Sequence, residues 1–194
     1  MKDILTIRIL GLAGAFSTLA VPAVAEDWPQ WRGSDRDGRS GESGLLKQWP
    51  EDGPPLAWKA KGIGGGFSSV AISGGKIYTL GDLDVGCHVI TLQESDGSPL
   101  WKTRIGDAGG HRGYPGPRST PTVDGGQVFA LDQHSNLVCL NAESGKKLWA
   151  VNLQADFGGK MMSGWRYSES PLVDGDAVIC TPGGNAGTLL ALNR

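Results

Sequence analysis

Apolar positions along this chain fall into short runs broken by turn residues, and one stretch shows the pattern in full. Ser119 to Trp149 reads STPTVDGGQVFALDQHSNLVCLNAESGKKLW. Its apolar runs are Thr122-Val123, Val128 to Leu131, Leu137 to Leu140 and a fourth ending in Leu148-Trp149. Runs of this length separated by Gly, Asp, Asn and Ser predict four short strands. Asp124-Gly125 reads as a tight hairpin turn, because Gly reaches the positive φ that joins antiparallel strands. Alternation in the middle strands is incomplete and both of their faces are largely apolar, so a sheet built from them needs cover on both sides.

The same pattern recurs on either side. Laying Ser73-Gly74-Gly75 on Asp124-Gly125-Gly126 matches Ile77-Tyr78-Thr79-Leu80 to Val128-Phe129-Ala130-Leu131, and Asp96 to Trp101 then falls on Ser144 to Trp149. A third unit opens at Ser170-Pro171-Leu172-Val173-Asp174-Gly175, and Leu56 to Ala60 reads as the outer strand of a unit whose first three strands are missing. A period of roughly fifty residues with four strands each predicts a β-propeller or similar array, in which neighbouring blades cover each other. The fold class is therefore all-β: an incomplete propeller of four-stranded antiparallel blades. Residues 56–194 make up one outer strand, two full blades and one incomplete blade. Trp101 and Trp149 occupy the same place in successive units, where a large ring serves packing between blades.

Residues 26–55 break this regularity. Asp27-Trp28-Pro29-Gln30-Trp31-Arg32-Gly33 and Leu45-Leu46-Lys47-Gln48-Trp49-Pro50 are dense in Pro and Gly, which predicts an irregular lead-in with at most a helical turn near Leu45. Its tryptophans Trp28, Trp31 and Trp49 are expected to staple the lead-in onto the folded body. Residues 1–25 carry Lys2 and Arg8, an uncharged apolar stretch from Ile9 to Leu19 and Ala23-Val24-Ala25, the pattern of a cleaved secretory signal peptide. A periplasmic or secreted location follows as an expectation, with no membrane span once the signal is removed.

Composition narrows the function further. A formal net charge of −2 without clustered Lys or Arg gives no footprint for nucleic acid. Three cysteines, Cys87, Cys139 and Cys180, are widely separated, and two sit inside apolar runs, where Cys acts as a small buried hydrophobe rather than half of a disulfide. No spacing among them and the 3 His resembles a metal site.

Gly97 to Trp101 and Gly145 to Trp149 each place a tryptophan shortly after a glycine behind an apolar strand. This pattern resembles the tryptophan-docking repeat of quinoprotein-type, PQQ-like β-propellers. Within that superfamily residues 27–194 are similar to secreted bacterial PQQ-like repeat proteins, through the Asp27 to Gly33 stretch, Arg118-Ser119-Thr120-Pro121-Thr122-Val123 and Tyr167-Ser168-Glu169-Ser170-Pro171-Leu172-Val173. The resemblance implies structural docking roles for Gly97, Trp101, Gly145 and Trp149. In register Leu192 matches Leu140, so the next docking tryptophan falls beyond Arg194, and closed propellers need at least about four blades. The expectation is an N-terminal portion of a longer chain.

In a propeller the connections from one blade's outer strand to the next blade's inner strand converge on one face, where binding residues concentrate. Residues 106–118 carry His111, Arg112, Tyr114 and Arg118, and residues 154–169 carry Lys160, Met161, Met162, Trp165, Arg166, Tyr167 and Glu169. Of these, His111, Arg112, Arg118, Trp165, Arg166, Tyr167 and Glu169 are the candidate ligand- or partner-binding residues. Each also has a structural alternative: an Arg118–Glu169 ion pair pinning neighbouring inner strands, loop aromatics capping the core, and a solvated His111 with no paired acid or nucleophile. No catalytic residue is assigned. The leading functional reading is a binding or assembly scaffold acting on a protein or small-molecule ligand. The alternative is a PQQ-dependent alcohol-type dehydrogenase, for which the resemblance implies PQQ with calcium; the adjacent Cys-Cys pair common in such enzymes is missing here.

Overall fold

Two-residue loops rich in glycine set the hairpins. In the computed structural model, which describes residues 26–84 and 86–194, Gly74 and Gly75 take φ of 58° and 72°, and Gly125 and Gly126 take 54° and 75°. Both central residues of each turn lie at φ > 0, the geometry whose twist matches the flanking strands. The predicted signal peptide, residues 1–25, lies outside the described residues.

The first blade contains β1 (Ala71–Ser73), β2 (Lys76–Leu83), β3 (Gly86–Gln93) and β4 (Pro99–Asp107). The second contains β5 (Thr122–Asp124), β6 (Gln127–Leu131), β7 (Asn136–Asn141) and β8 (Lys147–Asn152). A third sheet holds β9 (Leu172–Asp174), β10 (Ala177–Cys180) and β11 (Leu190–Asn193). Strands pair in chain order and antiparallel within each sheet, and no helix occurs among the described residues. The short inner strands β1, β5 and β9 are neighbours in space, so the sheets fan out from a common inner side as an open, incomplete propeller.

The apolar character of both strand faces now has its explanation. Val128 and Ala130 of β6 pack with Tyr78, Leu80 and Val89 of the first blade, while Phe129 and Leu131 pack with Val178 and Cys180 of the third. Each residue of β6 from Val128 to Leu131 is fully buried, a burial that stabilises by about 1.5–3 kcal/mol per large side chain. Cys87, Cys139 and Cys180 sit in these two cores as free thiols.

The docking residues repeat in three dimensions. Trp58 lies against Gly97 and donates its indole N–H to Glu94 O at 2.9 Å; Trp101 lies against Gly145 and donates to Ala142 O at 3.2 Å. The indole nitrogen of Trp149 is buried without a partner. Its ring packs 6.1 Å from Phe129, as Trp101 packs 6.1 Å from Tyr78.

Two expectations are corrected. Leu56 to Ala60 forms no strand, although Trp58 docks as an outer-strand tryptophan would, because no sheet neighbour flanks it. The stretch near Leu45 is irregular, within the expectation of at most a helical turn, and Leu45 and Leu46 are exposed. Trp49 and Trp31 are not what fastens the lead-in, being 62% and 47% exposed. The backbone fastens it instead. Trp28 exchanges two 2.8 Å hydrogen bonds with Ile72 of β1, Val123 of β5 donates to Pro29 O, and Arg36 reaches Pro171 O just before β9. The lead-in thus runs across the inner strands of all three blades and satisfies backbone groups that would otherwise be open edges.

Candidate functional site

The candidate site is built by three connectors on one face of the sheets: residues 61–70 leading into β1, 108–121 between β4 and β5, and 153–171 between β8 and β9. Gly109 and Gly110, at φ of 107° and 100°, let the second connector turn sharply. Gly109 N–H is anchored on Asp82 Oδ2 at 2.7 Å, and the buried Gln133 amide clamps Asp82 and the carbonyl of Asp107 from below. His111 Nδ1 accepts from the backbone of Gly113 and Tyr114, closing a small turn.

That turn presents rings. His111 stacks on Trp165 of the third connector with centroids 4.4 Å apart and planes at 9°. Tyr114 lies 5.8 Å from Trp165 and 6.1 Å from Phe67. Arg118 ties the group together: its guanidinium carbon is 5.0 Å from the Phe67 ring centre and 5.4 Å from that of Trp165, while it donates to Tyr114 O at 2.7 Å and Gly116 O at 3.2 Å. Phe67, Tyr114 and Trp165 are each about half exposed, so the cluster is ordered yet open to solvent.

The sequence candidates divide accordingly. His111, Arg118 and Trp165 come together. Arg112 and Arg166 are exposed at the margin, Arg166 with a φ of 71°. Tyr167 turns inward, 7% exposed, with its hydroxyl donating to Pro182 O at 2.7 Å; burial first, then Glu169, raises its phenol above the ordinary value. The expected Arg118–Glu169 ion pair does not form. Glu169 instead accepts from the backbone N–H of Thr181 at 2.7 Å and from its hydroxyl. Tyr114, noted among the side chains of its connector, and Phe67, which was missed, complete the cluster; Phe67 precedes Ser68 as Arg118 precedes Ser119, a register signal that could have found it.

Beside the cluster lies a cleft of about 420 Å³, lined on one side by Trp31 and Arg36 of the lead-in, and on the other by Arg118, Glu169 and the apolar Leu172 and Ile179. It is a concave, mixed site of the size that holds small ligands.

The sequence profile of the family described as outer membrane protein assembly factor BamB, a PQQ-like repeat family, matches residues 88–194. The chain belongs to this family. No curated protein matches it. Among solved structures it is similar to quinohemoprotein alcohol dehydrogenase from Comamonas testosteroni at 16% identity and a TM-score of 0.58, over 79% of this chain and 22% of that one. It is also similar to BamB from Moraxella catarrhalis at 16% identity and a TM-score of 0.48, covering 71% of this chain and 36% of that one. The chain thus spans well under half the length of either structure, and at this identity the first likeness speaks for the propeller fold alone.

The PQQ with calcium that the resemblance implied would need converging oxygen donors. Among the described residues no three His, Cys, Asp or Glu side chains converge on one point. The one carboxylate in the cleft is committed to Thr181, and the inner strands are crossed by the lead-in. No chemical step through a calcium-bound quinone is derived. Among the described residues no helix is long and apolar enough to cross a membrane.

Proposed function

We propose that this protein works outside the cytoplasm as a binding and assembly scaffold, offering the loop face of its blades to a protein partner. The observation that carries this reading is the half-exposed cluster of Phe67, His111, Tyr114, Arg118 and Trp165, drawn from three connectors and seated on rigid sheets. Trp, Tyr and Arg are the residues on which binding energy concentrates at protein interfaces. Their mutual stacking holds them in place before a partner arrives, which lowers the entropy lost on association. The description of the matching family, an outer membrane protein assembly factor, supports a partner in outer membrane protein assembly. The predicted signal peptide supports export.

A photoreactive residue placed at Tyr114 in cells tests this reading, with Lys102 on the exposed outer strand β4 as the control position. The expected result is an adduct at position 114 containing an outer membrane β-barrel protein or a component that assembles one. Labelling at 114 no stronger than at 102 would overturn it.

A further inference from the structure

The cleft between the lead-in and the third blade has an unusual charge balance. Arg36 and Arg118 both line it, and neither has a carboxylate partner among the described residues. Each guanidinium is held by neutral acceptors only: Arg36 by Gln30 Oε1 at 2.9 Å and Pro171 O at 2.7 Å, Arg118 by Tyr114 O and Gly116 O. Partial burial makes an uncompensated cation costly, and for Arg36 desolvation already pulls the guanidinium below its ordinary value. Two of the five N–H donors of each side chain are used in these contacts, which leaves donors on both for a further acceptor.

The cleft also contains one anion, Glu169, whose oxygens are taken by Thr181. Two cations against one anion leave a single positive charge to be matched. A monoanion satisfies that balance, while a dianionic phosphate would bring its second charge against Glu169. The planar fork of arginine matches the two oxygens of a carboxylate. Leu172, Ile179 and the Trp31 ring also line the cleft, so the rest of the ligand meets apolar surface. Ser170 accepts from Thr120 N–H at 2.9 Å, which leaves its own hydroxyl proton free to donate into the cleft it lines.

We propose that this cleft binds an organic monocarboxylate with an apolar body, its carboxylate between Arg36 and Arg118 and its body against Leu172 and Ile179. The cleft shares Arg118 with the ring cluster, but Arg36, Leu172 and Ile179 lie outside that cluster, so carboxylate binding can fail while crosslinking at Tyr114 succeeds, and the reverse. A free acid and the carboxyl end of a peptide carry the same chemistry.

Calorimetric titration of the full chain with 3-phenylpropionate, its neutral amide, N-acetylglycylphenylalanine and inorganic phosphate tests the proposal. The acids should bind about tenfold or more tightly than the amide. The tighter of the two acids identifies the source as a free acid or a peptide terminus. Arg36→Gln should weaken the acid by about tenfold. Arg118→Gln should do likewise, and Arg36→Gln keeps the test decisive if loss of Arg118 disturbs the Phe67–Trp165 packing. Glu169→Gln, which keeps an acceptor for Thr181 N–H, should tighten it. No binding by either acid, equal binding by the amide, tighter binding by phosphate, or an Arg36→Gln protein that binds as before would each overturn the proposal.

Discussion

Gly145 lies directly beneath the indole of Trp101: a methyl group on its α-carbon would sit 2.5 Å from the ring. The residue also holds a φ of 68°, so shape and backbone demand glycine together. Gly97 stands in the same relation to Trp58, with a φ of 70°, and a methyl group there would again sit 2.5 Å from the ring. Gly145→Ala and Gly97→Ala should each destabilise the fold by about 2–4 kcal/mol, the left-handed backbone cost plus displacement of a packed ring. Urea unfolding of the variants measures this, with Gly126→Ala as a comparison, since a methyl there meets open space and only the backbone cost remains.

The docking tryptophans differ in one bond, and that difference should be measurable. Trp101 donates to Ala142 O, while the buried indole N–H of Trp149 has no acceptor. Replacing each by Phe removes similar ring area, but only Trp101→Phe removes a made hydrogen bond. Trp101→Phe should therefore cost about 1 kcal/mol more than Trp149→Phe in the same denaturation series.

Tyr167 separates core from surface. Tyr167→Phe breaks its bond to Pro182 O and should lower stability by about 1 kcal/mol while leaving crosslinking at Tyr114 intact. Trp165→Ala, at a half-exposed position, should do the reverse, with loss of crosslinking and little change in the urea midpoint.

The buried thiols give the fold an alkaline limit. Burial is the main cause that pushes Cys139 up to about 11 and Cys180 up to about 12, and it raises Cys87 as well. Each thiol ionises first in the unfolded chain, so the neutral buried form stabilises fully below pH 9 and progressively less as pH rises towards the folded values. The loss is at most about 1.4 kcal/mol per pH unit per thiol. Urea unfolding at successive pH values above 9 should show this decline, and Cys139→Ala and Cys180→Ala should each make it shallower. A thiol reagent at about pH 8, below the ordinary thiol range, should label none of the three cysteines until urea is added.

Much of the fold was legible because it is written more than once. Asp124-Gly125 and Asp174-Gly175 marked hairpins, and the doubly apolar run from Val128 to Leu131 demanded a neighbour on each face, which the first and third blades supply. Leu56 to Ala60 was harder to read, since a strand exists only where another pairs with it. The exposure of Trp49 was illegible for a related reason: ring size shows what burial would gain, not whether a surface is there to receive it. At the site, register correctly brought Arg118 and Glu169 to one cleft. It could not give their rotamers, and Arg118 chose two carbonyls and two rings while Glu169 chose Thr181. Arg36 was out of reach altogether, because no pattern in the lead-in says that it crosses to the third blade.

The central claim is that the blades are scaffold and the loop face carries the function. The most direct test is the yield of folded outer membrane β-barrel protein, read from heat-modifiable gel mobility, in cells whose only copy is the Tyr114→Ala, Trp165→Ala double variant. The account predicts a yield close to that of cells lacking the protein, with the purified variant unfolding near the wild-type urea midpoint. A normal yield from a normally folded double variant would contradict it.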